Sequence, residues 1–303
     1  MSMKYVFNQF ITKILPYLPF FLVRAVAIKY VAGETSEEAL STVQHLNNQG
    51  FSVTLDILGE HTTDETVAKE ITNNYLSLLQ NIHKQHLDCN LSIKPSHIGM
   101  DISTSCIDEN MSLLISTARN FNNFIRIDME DSNATDSTIE LFNKYKEQYD
   151  QIGIVFQAYL YRTENDLLTF KGKSEFNFRL CKGIYRESPD IAITDRQSIN
   201  ENFLRLLHIA FENNIYIGIA THDISLLKEI YKIINKHKVP KDKFEFQVLY
   251  GVPMSGWLER HLENDYKVRI YVPFGKDWYD YSIRRLKENP NIAGYVIRDI
   301  FRK

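Results

Sequence analysis

The sequence predicts a single α/β domain built as a (β/α)8 barrel, a TIM-like fold, with additional N-terminal helices. From residue 50 onward, eight short β-rich runs alternate with segments of helical periodicity. No Pro- or Ser-rich linker and no change of composition interrupts this alternation. Eight repeats over about 250 residues have the strand count and the length of such a barrel.

The competing fold is an open, doubly wound sheet. Its phosphate-binding turn carries a G-x-G pattern, and no GxG occurs among the 12 glycines of the chain. The barrel is therefore favoured. We predict that residues 1–48 form an N-terminal helical segment packing on the barrel and that residues 49–303 form the barrel itself.

Each predicted strand is rich in β-branched, aromatic and aliphatic residues and ends near a polar residue. In order, the runs are FSVTLDI (51–57), NLSIK (90–94), FIRIDM (124–129), GIVFQAYL (153–160), FNFRL (176–180), IYIGIATH (215–222), FEFQVLY (244–250) and KVRIYVP (267–273). The segments between them repeat apolar residues with helical spacing, and several begin near Asp or Thr, as N-caps do. Examples are TDETVAKEITNNYLSLLQNIHKQH (63–86) and DISLLKEIYKIINKHK (223–238).

The composition is that of a soluble globular protein, with 303 residues, 44% hydrophobic and 24% charged. The 35 basic and 38 acidic residues give a formal charge of −3, so the field of the whole chain would not attract nucleic acid or an anionic membrane. Any anion site must therefore be local.

The N-terminal stretch ITKILPYLPFFLVRAVAIKYVAG (11–33) resembles a membrane anchor only superficially. Pro16, Pro19 and Arg24 interrupt it, and its uncharged runs fall short of the roughly 20 residues that a spanning helix needs. We expect an amphipathic helix covering the domain of a cytoplasmic protein. The apolar cluster Phe20–Leu22 leaves open a peripheral contact with the inner face of the membrane.

The chain has three isolated cysteines, Cys89, Cys106 and Cys181. An odd count without CxxC argues against a disulfide framework and favours a reducing compartment. His83, His86 and Cys89 are spaced in threes, but the stretch HKQHLDCN is typical of a polar helix ending before a strand. No metal site is predicted.

The carboxyl ends of barrel strands carry the active site, so the residues that end each run are the candidate functional residues. They are Asp56, Lys94, Asp128, Met129, Gln157, Arg179, Lys182, Thr221, His222, Gln247 and Tyr271. With Arg284 and Arg285 from the following helix, five cations face two acids at one predicted rim. This excess predicts an anion-binding cavity; the alternative is that each charge only reaches solvent.

The segment WYDYSIRRLKENP (278–290) places Tyr281, Arg284 and Arg285 at positions i, i+3 and i+4 of a helix, on one face. A planar guanidinium suits a carboxylate through two parallel hydrogen bonds, whereas phosphate commonly recruits glycine-rich backbone amides, which are missing here. A small carboxylate is therefore the predicted ligand. For Arg285, a surface salt bridge with Glu288 is the alternative.

Several motifs from about residue 51 to the C-terminus resemble the proline dehydrogenase family. They are VTLDILGE, SIKP, FIRIDMEDS, QAYLYRT, RLCKGIY, ATHD, FEFQVLYG, VRIYVPFG and WYDYSIRRLKENP, in the family's order and spacing. The resemblance implies a barrel with FAD across the strand ends. It also implies oxidation of L-proline to Δ1-pyrroline-5-carboxylate by hydride transfer from C5 to flavin N5, with the electrons passing to a quinone and the product to a separate pyrroline-5-carboxylate dehydrogenase.

The resemblance also implies roles for individual residues. Arg284, Arg285 and Lys94 would hold the proline carboxylate, and Tyr185, Tyr271 and Tyr281 would wall the ring. Asp128 and Arg179 would be catalytic, with Arg179 beside flavin N5. Cofactor contacts would come from Met129, Gln157, Arg179, Lys182, Gly183, Ile184, Thr221, His222 and Glu288. Glu60 would act as a gate, pairing with Arg284 when the site closes.

Three departures from the family pattern bear on these expectations. Ile184 stands where alanine is usual and is expected to crowd Tyr185; Asp223 replaces a common asparagine, and Cys181 replaces a valine. Asp128 is favoured as an orienting group over a base. The remaining alternatives are a dehydrogenase of another cyclic imino acid such as hydroxyproline, which a phenol at Tyr271 would crowd, and a flavin-free amino-acid-binding barrel.

Overall fold

Eight parallel strands form a closed barrel in the order β1 to β8, in a computed structural model that describes residues 24, 27–172, 176–279 and 281–283. The strands are β1 Ser52–Ile57, β2 Cys89–Ile93, β3 Ile125–Ile127, β4 Ile152–Gln157, β5 Asn177–Cys181, β6 Tyr216–Ala220, β7 Phe244–Leu249 and β8 Val268–Phe274. Each overlaps its predicted run. The predicted barrel is therefore confirmed.

Helix α1 precedes β1, and the helices numbered from α2 follow the strands around the outside of the barrel. Their bounds are α1 Ser36–Asn48, α2 Glu65–Lys84, α3 Thr104–Asn120, α4 Thr135–Lys146, α5 Thr163–Leu168, α6 Arg196–Glu212, α7 Ile224–His237 and α8 Trp257–Glu263. Asp64, Asp195 and Asp223 cap α2, α6 and α7 by accepting hydrogen bonds from first-turn amides. Short 3-10 turns lie at Pro95–Ile98, Ser132–Ala134 and Lys241–Lys243.

The apolar core lies between the strands and the helices. On β1, Val53 and Leu55 are fully buried and face outward, where the helices supply side chains such as Leu78 and Leu79 of α2. Helix α1 covers part of the barrel with Ala39 and Val43, both 0% exposed. The described part of the predicted N-terminal segment therefore contributes to the core.

The inside of the barrel is polar, because the alternate residues of the strands carry polar and charged side chains. Arg126 donates to the carbonyl oxygens of Ile154 and Asn177, and Arg269 Nε donates to Glu245 Oε1 at 2.8 Å. A Cβ at position 153 would overlap the Arg126 guanidinium, so Gly153 leaves room for it. Buried charged side chains therefore fill the inside of the barrel below the carboxyl ends of the strands.

The barrel closes at a seam between β1 and β8. Six consecutive residues pair there, from Ser52 with Arg269 to Ile57 with Phe274. Arg269 Nη1 also donates to the carbonyl of Val53 at 2.7 Å, joining residues 216 positions apart in the chain. The seam therefore brings the first and last strands of the barrel to the same rim.

The N-terminal stretch is described only in part. Residues 27–30 are helical, and Ala27 and Tyr30 are buried. The cluster Phe20–Leu22 lies outside the described residues. In the part of the chain that the structure describes, no helix has the length and apolarity needed to cross a membrane. Peripheral membrane contact stays a prediction.

Candidate active site

A cavity of about 660 Å³ opens at the carboxyl ends of the strands. Every predicted site residue that the structure describes lines it: Glu60, Lys94, Asp128, Met129, Gln157, Arg179, Lys182, Gly183, Ile184, Tyr185, Thr221, His222, Tyr271 and Tyr281. Arg284, Arg285 and Glu288 lie outside the described residues. The strand-end rule and the family resemblance together therefore selected side chains that share one cavity.

Lys94 and Asp56 form a buried ion pair on one wall. Lys94 Nζ donates to both carboxylate oxygens of Asp56, at 2.6 and 2.7 Å, and Lys94 is 9% exposed. Burial alone would lower the pKa of Lys94, but the nearby carboxylates of Asp56 and Asp128 outweigh burial and raise it. Lys94 is therefore an ammonium, and two of its three N–H groups are engaged by Asp56.

Asp128 accepts hydrogen bonds on both of its oxygens. Arg179 Nη2 and Ser92 Oγ donate to Oδ1, and Tyr271 OH donates to Oδ2 at 2.8 Å. Burial would raise the pKa of Asp128, but Arg179 and Lys94, together with these hydrogen bonds, leave it below its usual value. Asp128 is therefore a carboxylate with a lowered proton affinity that is hydrogen bonded to Arg179, Ser92 and Tyr271.

Arg179 and Tyr271 form a second contact of their own. The Arg179 guanidinium carbon lies 4.9 Å from the centroid of the Tyr271 ring, and Arg179 Nη2 donates to Ser92 Oγ at 2.8 Å. Burial first, and then Asp128 and Asp56, raise the pKa of Tyr271 well above its usual value. The phenol is therefore a neutral hydrogen-bond donor at the floor of the cavity.

Asp223 pairs with two cations at the rim of the cavity. Its Oδ2 accepts from Lys182 Nζ at 2.7 Å and from Arg196 Nη2 at 3.1 Å, while its Oδ1 caps α7. Burial would raise the pKa of Asp223, but these partners hold it far below its usual range. The negative charge that Asp223 adds, where the family pattern has asparagine, is therefore neutralised by Lys182 and Arg196.

Backbone geometry shapes the rest of the cavity wall. Gly183 has φ +107°, and a Cβ there would overlap the ring of Tyr159, so this turn requires glycine. The backbone N–H of Leu249 donates to His222 Nε2 at 2.8 Å, which leaves Nδ1 to carry the proton of the neutral ring. Ile184 lines the cavity but is 50% exposed, so part of its side chain extends away from the wall.

The described lining residues do not show the predicted excess of cations. The charged side chains among them are Lys94, Arg179, Lys182, Arg196, Asp56, Glu60, Asp128 and Asp223, which are four cations and four carboxylates. The prediction counted strand-end cations but underestimated their carboxylate partners. The predicted contribution of Arg284 and Arg285 lies outside the described residues.

Sequence reasoning missed Ser92 and Arg196. Ser92 is fully buried and donates to Asp128, and it precedes Lys94 by two residues, so strand alternation places both on the inner face. That alternation is the sequence signal that could have identified Ser92. Arg196 begins α6, and nothing in a strand-end pattern indicates that it reaches the cavity.

The structure shows where the histidines considered as metal ligands lie. His83 packs against Phe121, with ring centroids 4.9 Å apart, and its ring centroid is 6.5 Å from that of His86. Within the described residues, one group places possible ligand atoms within 4.8 Å of one another: Glu60, His61 and Glu130. His61 Nδ1 is already paired with Asp101 at 2.8 Å.

Comparison with known proteins finds relatives that are named proline dehydrogenases. The chain is 34% identical over 280 residues to proline dehydrogenase 2 of Bacillus subtilis, covering 92% of both chains. It is 32% identical over 282 residues to the proline dehydrogenase of Deinococcus radiodurans, covering 91% of this chain and 90% of that one.

Solved structures share the fold. Proline utilization A from Bdellovibrio bacteriovorus, inactivated by N-propargylglycine, superposes with a TM-score of 0.77 at 25% identity. The match covers 87% of this chain and 32% of that longer protein. The proline dehydrogenase family model matches residues 39–298, which include both strands of the barrel seam and the whole cavity. By sequence and by fold, the chain belongs to the proline dehydrogenase family.

Proposed function

We propose that this protein oxidises L-proline to Δ1-pyrroline-5-carboxylate with FAD as cofactor. Family membership supports proline as the substrate. The observation that carries the proposal is the arrangement of two buried ion pairs, Lys94 with Asp56 and Arg179 with Asp128, in one cavity at the barrel mouth. A small zwitterion bound there meets fixed charges of both signs.

The residues present fit a flavin. Arg179 Nε is buried and has no hydrogen-bond partner among the described residues, and its guanidinium lies in the cavity wall, where a cation favours negative charge arriving on a ring. Lys182 and Arg196 supply cations at the rim. Gly183 keeps a side chain out of the turn between Lys182 and Tyr185. These residues, with Met129, Gln157, Ile184, Thr221, His222 and Glu288, would hold the cofactor.

The proline site would use a second set of residues of the same cavity, together with Arg284 and Arg285. Lys94 has one N–H left after its bonds to Asp56 and would share the substrate carboxylate with Arg284 and Arg285. Tyr185, Tyr271 and Tyr281 would enclose the ring. Glu60, at the mouth, would pair with Arg284 as the site closes. This arrangement catalyses chiefly by orientation, because the reacting carbon must face the cofactor.

Bound FAD would supply a two-electron acceptor, so that the C5–H bond of proline could break with loss of hydride while the nitrogen lone pair forms the C=N bond. The protein's part is to keep the amine neutral. With Arg284 and Arg285 added to the balanced charges of the described lining, the cavity would favour loss of the ammonium proton, and bulk water would take it. Asp128 is already hydrogen bonded on both oxygens and its pKa is low, which supports an orienting role.

The electrons then leave to a quinone, and the imine product goes to a separate pyrroline-5-carboxylate dehydrogenase. Some relatives are bifunctional: the PutA protein of Escherichia coli is 26% identical, and the match covers 24% of its length. A dehydrogenase that acts on Δ1-pyrroline-5-carboxylate would act after this reaction. Contact with a membrane that holds the quinone is assigned to the N-terminal cluster Phe20–Leu22.

The purified protein tests the proposal directly. It should be yellow, and the colour should bleach on addition of L-proline without oxygen and return with a soluble quinone. Hydroxyproline should bleach it more slowly. N-propargylglycine should inactivate it with time, as it does the Bdellovibrio protein. A colourless protein that does not take up FAD, or a yellow one that L-proline leaves unbleached, would refute the proposal.

A further inference from the structure

The loop that follows β1 carries Glu60 at the mouth of the cavity, where Leu58 and Gly59 also line the wall. This loop is tied to the turn that follows β2. The backbone N–H of His61 donates to Ser96 Oγ at 2.9 Å, and the N–H of Thr62 donates to the Ser96 carbonyl at 3.1 Å. Ser96 is therefore the anchor of the Glu60 loop.

Ser96 is itself held by a buried carboxylate. Its backbone N–H donates to Glu130 Oε2 at 2.9 Å, and its hydroxyl donates to Glu130 Oε1. Glu130 is 1% exposed and Ser96 is 2% exposed, and neither lines the cavity. Burying a carboxylate is costly unless its hydrogen bonds are satisfied, and here both oxygens are used on one serine.

Glu130 also joins neighbouring strand ends. It follows Asp128 and Met129 after β3, and its carbonyl oxygen accepts from Gln157 Nε2 at 2.9 Å, so the end of β4 is tied to it as well. Its carboxylate lies within 4.8 Å of ligand atoms on Glu60 and His61. Two carboxylates at this distance repel, which disfavours movement of Glu60 toward the protein interior.

We propose that Glu130 is a positioning residue that fixes the Glu60 loop through Ser96, so that the mouth of the cavity is ordered before substrate binds. This inference rests on the proposed function for its kinetic consequence. An anchored loop has already lost its conformational freedom, whereas a released loop must be ordered at each binding event, which weakens binding. The chemical step, which depends on residues deeper in the cavity, changes little.

Two variants release the loop in different ways. Glu130→Gln keeps the volume but removes the charge and one acceptor, and Ser96→Ala keeps the charge but removes the hydroxyl between Glu130 and His61. Glu245→Gln is the matched control, because Glu245 is a carboxylate 2% exposed that pairs with Arg269 inside the barrel. It tests the loss of a buried carboxylate away from the loop.

The expected result is a KM for proline raised about tenfold in both variants, with kcat within about threefold of wild type. The double variant should be no worse than the worse single variant, because both residues act through one chain of hydrogen bonds. Amide exchange at His61 and Thr62 should accelerate about tenfold in both, and remain unchanged in Glu245→Gln.

Amide exchange separates this inference from the proposed function, because it requires neither FAD nor proline turnover. If wild-type protein does not oxidise proline but the two amides lose protection in both variants, the proposed function fails while Glu130 still positions the loop. Unchanged exchange in Ser96→Ala, or KM changes in both variants that only match those of Glu245→Gln, would overturn the positioning role. Ser96→Ala decides the matter if Glu130→Gln does not fold.

Discussion

Replacing Asp128 with asparagine tests whether Asp128 orients its neighbours or accepts a proton from the substrate. Asparagine has nearly the same shape, but it removes the charge opposite Arg179 and turns one acceptor into a donor. The new NH2 group faces one of two sets of donors, depending on how the amide is placed. It faces either Arg179 Nη2 and Ser92 Oγ, which donate to Oδ1 of Asp128, or Tyr271 OH, which donates to Oδ2. The substitution therefore breaks the pair while leaving the cavity volume unchanged.

The magnitude follows from burial. The side chains of Arg179 and Asp128 are 9% and 13% exposed, and removing one partner of a buried pair costs about 3 kcal/mol of unfolding free energy at the low end of the usual range. For a chain of this size that is a fall of roughly 6 °C in Tm. If Asp128 orients, kcat/KM should fall about tenfold; loss of a general base would cost roughly 100-fold to 10,000-fold.

The pH dependence has a definite sign. The pKa of Asp128 is lowered by folding, so its charge stabilises the protein above the unfolded value of about 4, and this stabilisation is lost as the pH falls through the lower folded value. The stability gap between wild type and Asp128→Asn should therefore shrink below about pH 4. Urea unfolding at several pH values and proline-dependent dye reduction are the measurements. A kcat at least about 100-fold lower in a folded, FAD-bound variant would refute the orienting role.

Three further substitutions test separate parts of the site. Gly183→Ala should lower Tm by several degrees more than Gly50→Ala in thermal unfolding, because both have positive φ but only position 183 lacks space for a Cβ. Asp223→Asn keeps a helix cap and releases Lys182 from its carboxylate, so FAD should bind about threefold to tenfold more tightly in a fluorescence titration; weaker binding would contradict the electrostatic argument. Lys94→Met should destabilise the protein by about 3 kcal/mol in urea, and adding Asp56→Asn should restore much of the stability but not the KM for proline.

The sequence predicted the barrel well because the signals that it used are local. Strand alternation, helix caps and the missing G-x-G each depend on residues close together in the chain, and every strand overlaps its predicted run. The strand-end rule then selected Gln157, Arg179 and Thr221 without knowledge of the fold in three dimensions. These residues share a cavity because parallel strands all end on one rim.

The pairing of charges could not be predicted in the same way. Asp128 and Arg179 are 51 residues apart, and their contact depends on rotamers across the interior of the barrel. Arg196 reaches Asp223 from a helix, so the family pattern indicated an added negative charge at Asp223 but not the two cations, Lys182 and Arg196, that pair with it. The predicted roles of Arg284, Arg285 and Glu288 stay predictions.

The seam between β1 and β8 has a consequence for biosynthesis. Asp56 lies on the first strand and Tyr271 on the last, and their strands meet only when the chain ends of the barrel pair. A nascent chain that has not yet exposed Phe274 outside the ribosome lacks one wall of its pocket. If FAD binds as proposed, it would bind only after β8 has paired with β1, because the pocket needs residues of both strands. Acquisition of colour in a translation reaction would therefore report completed closure of the barrel.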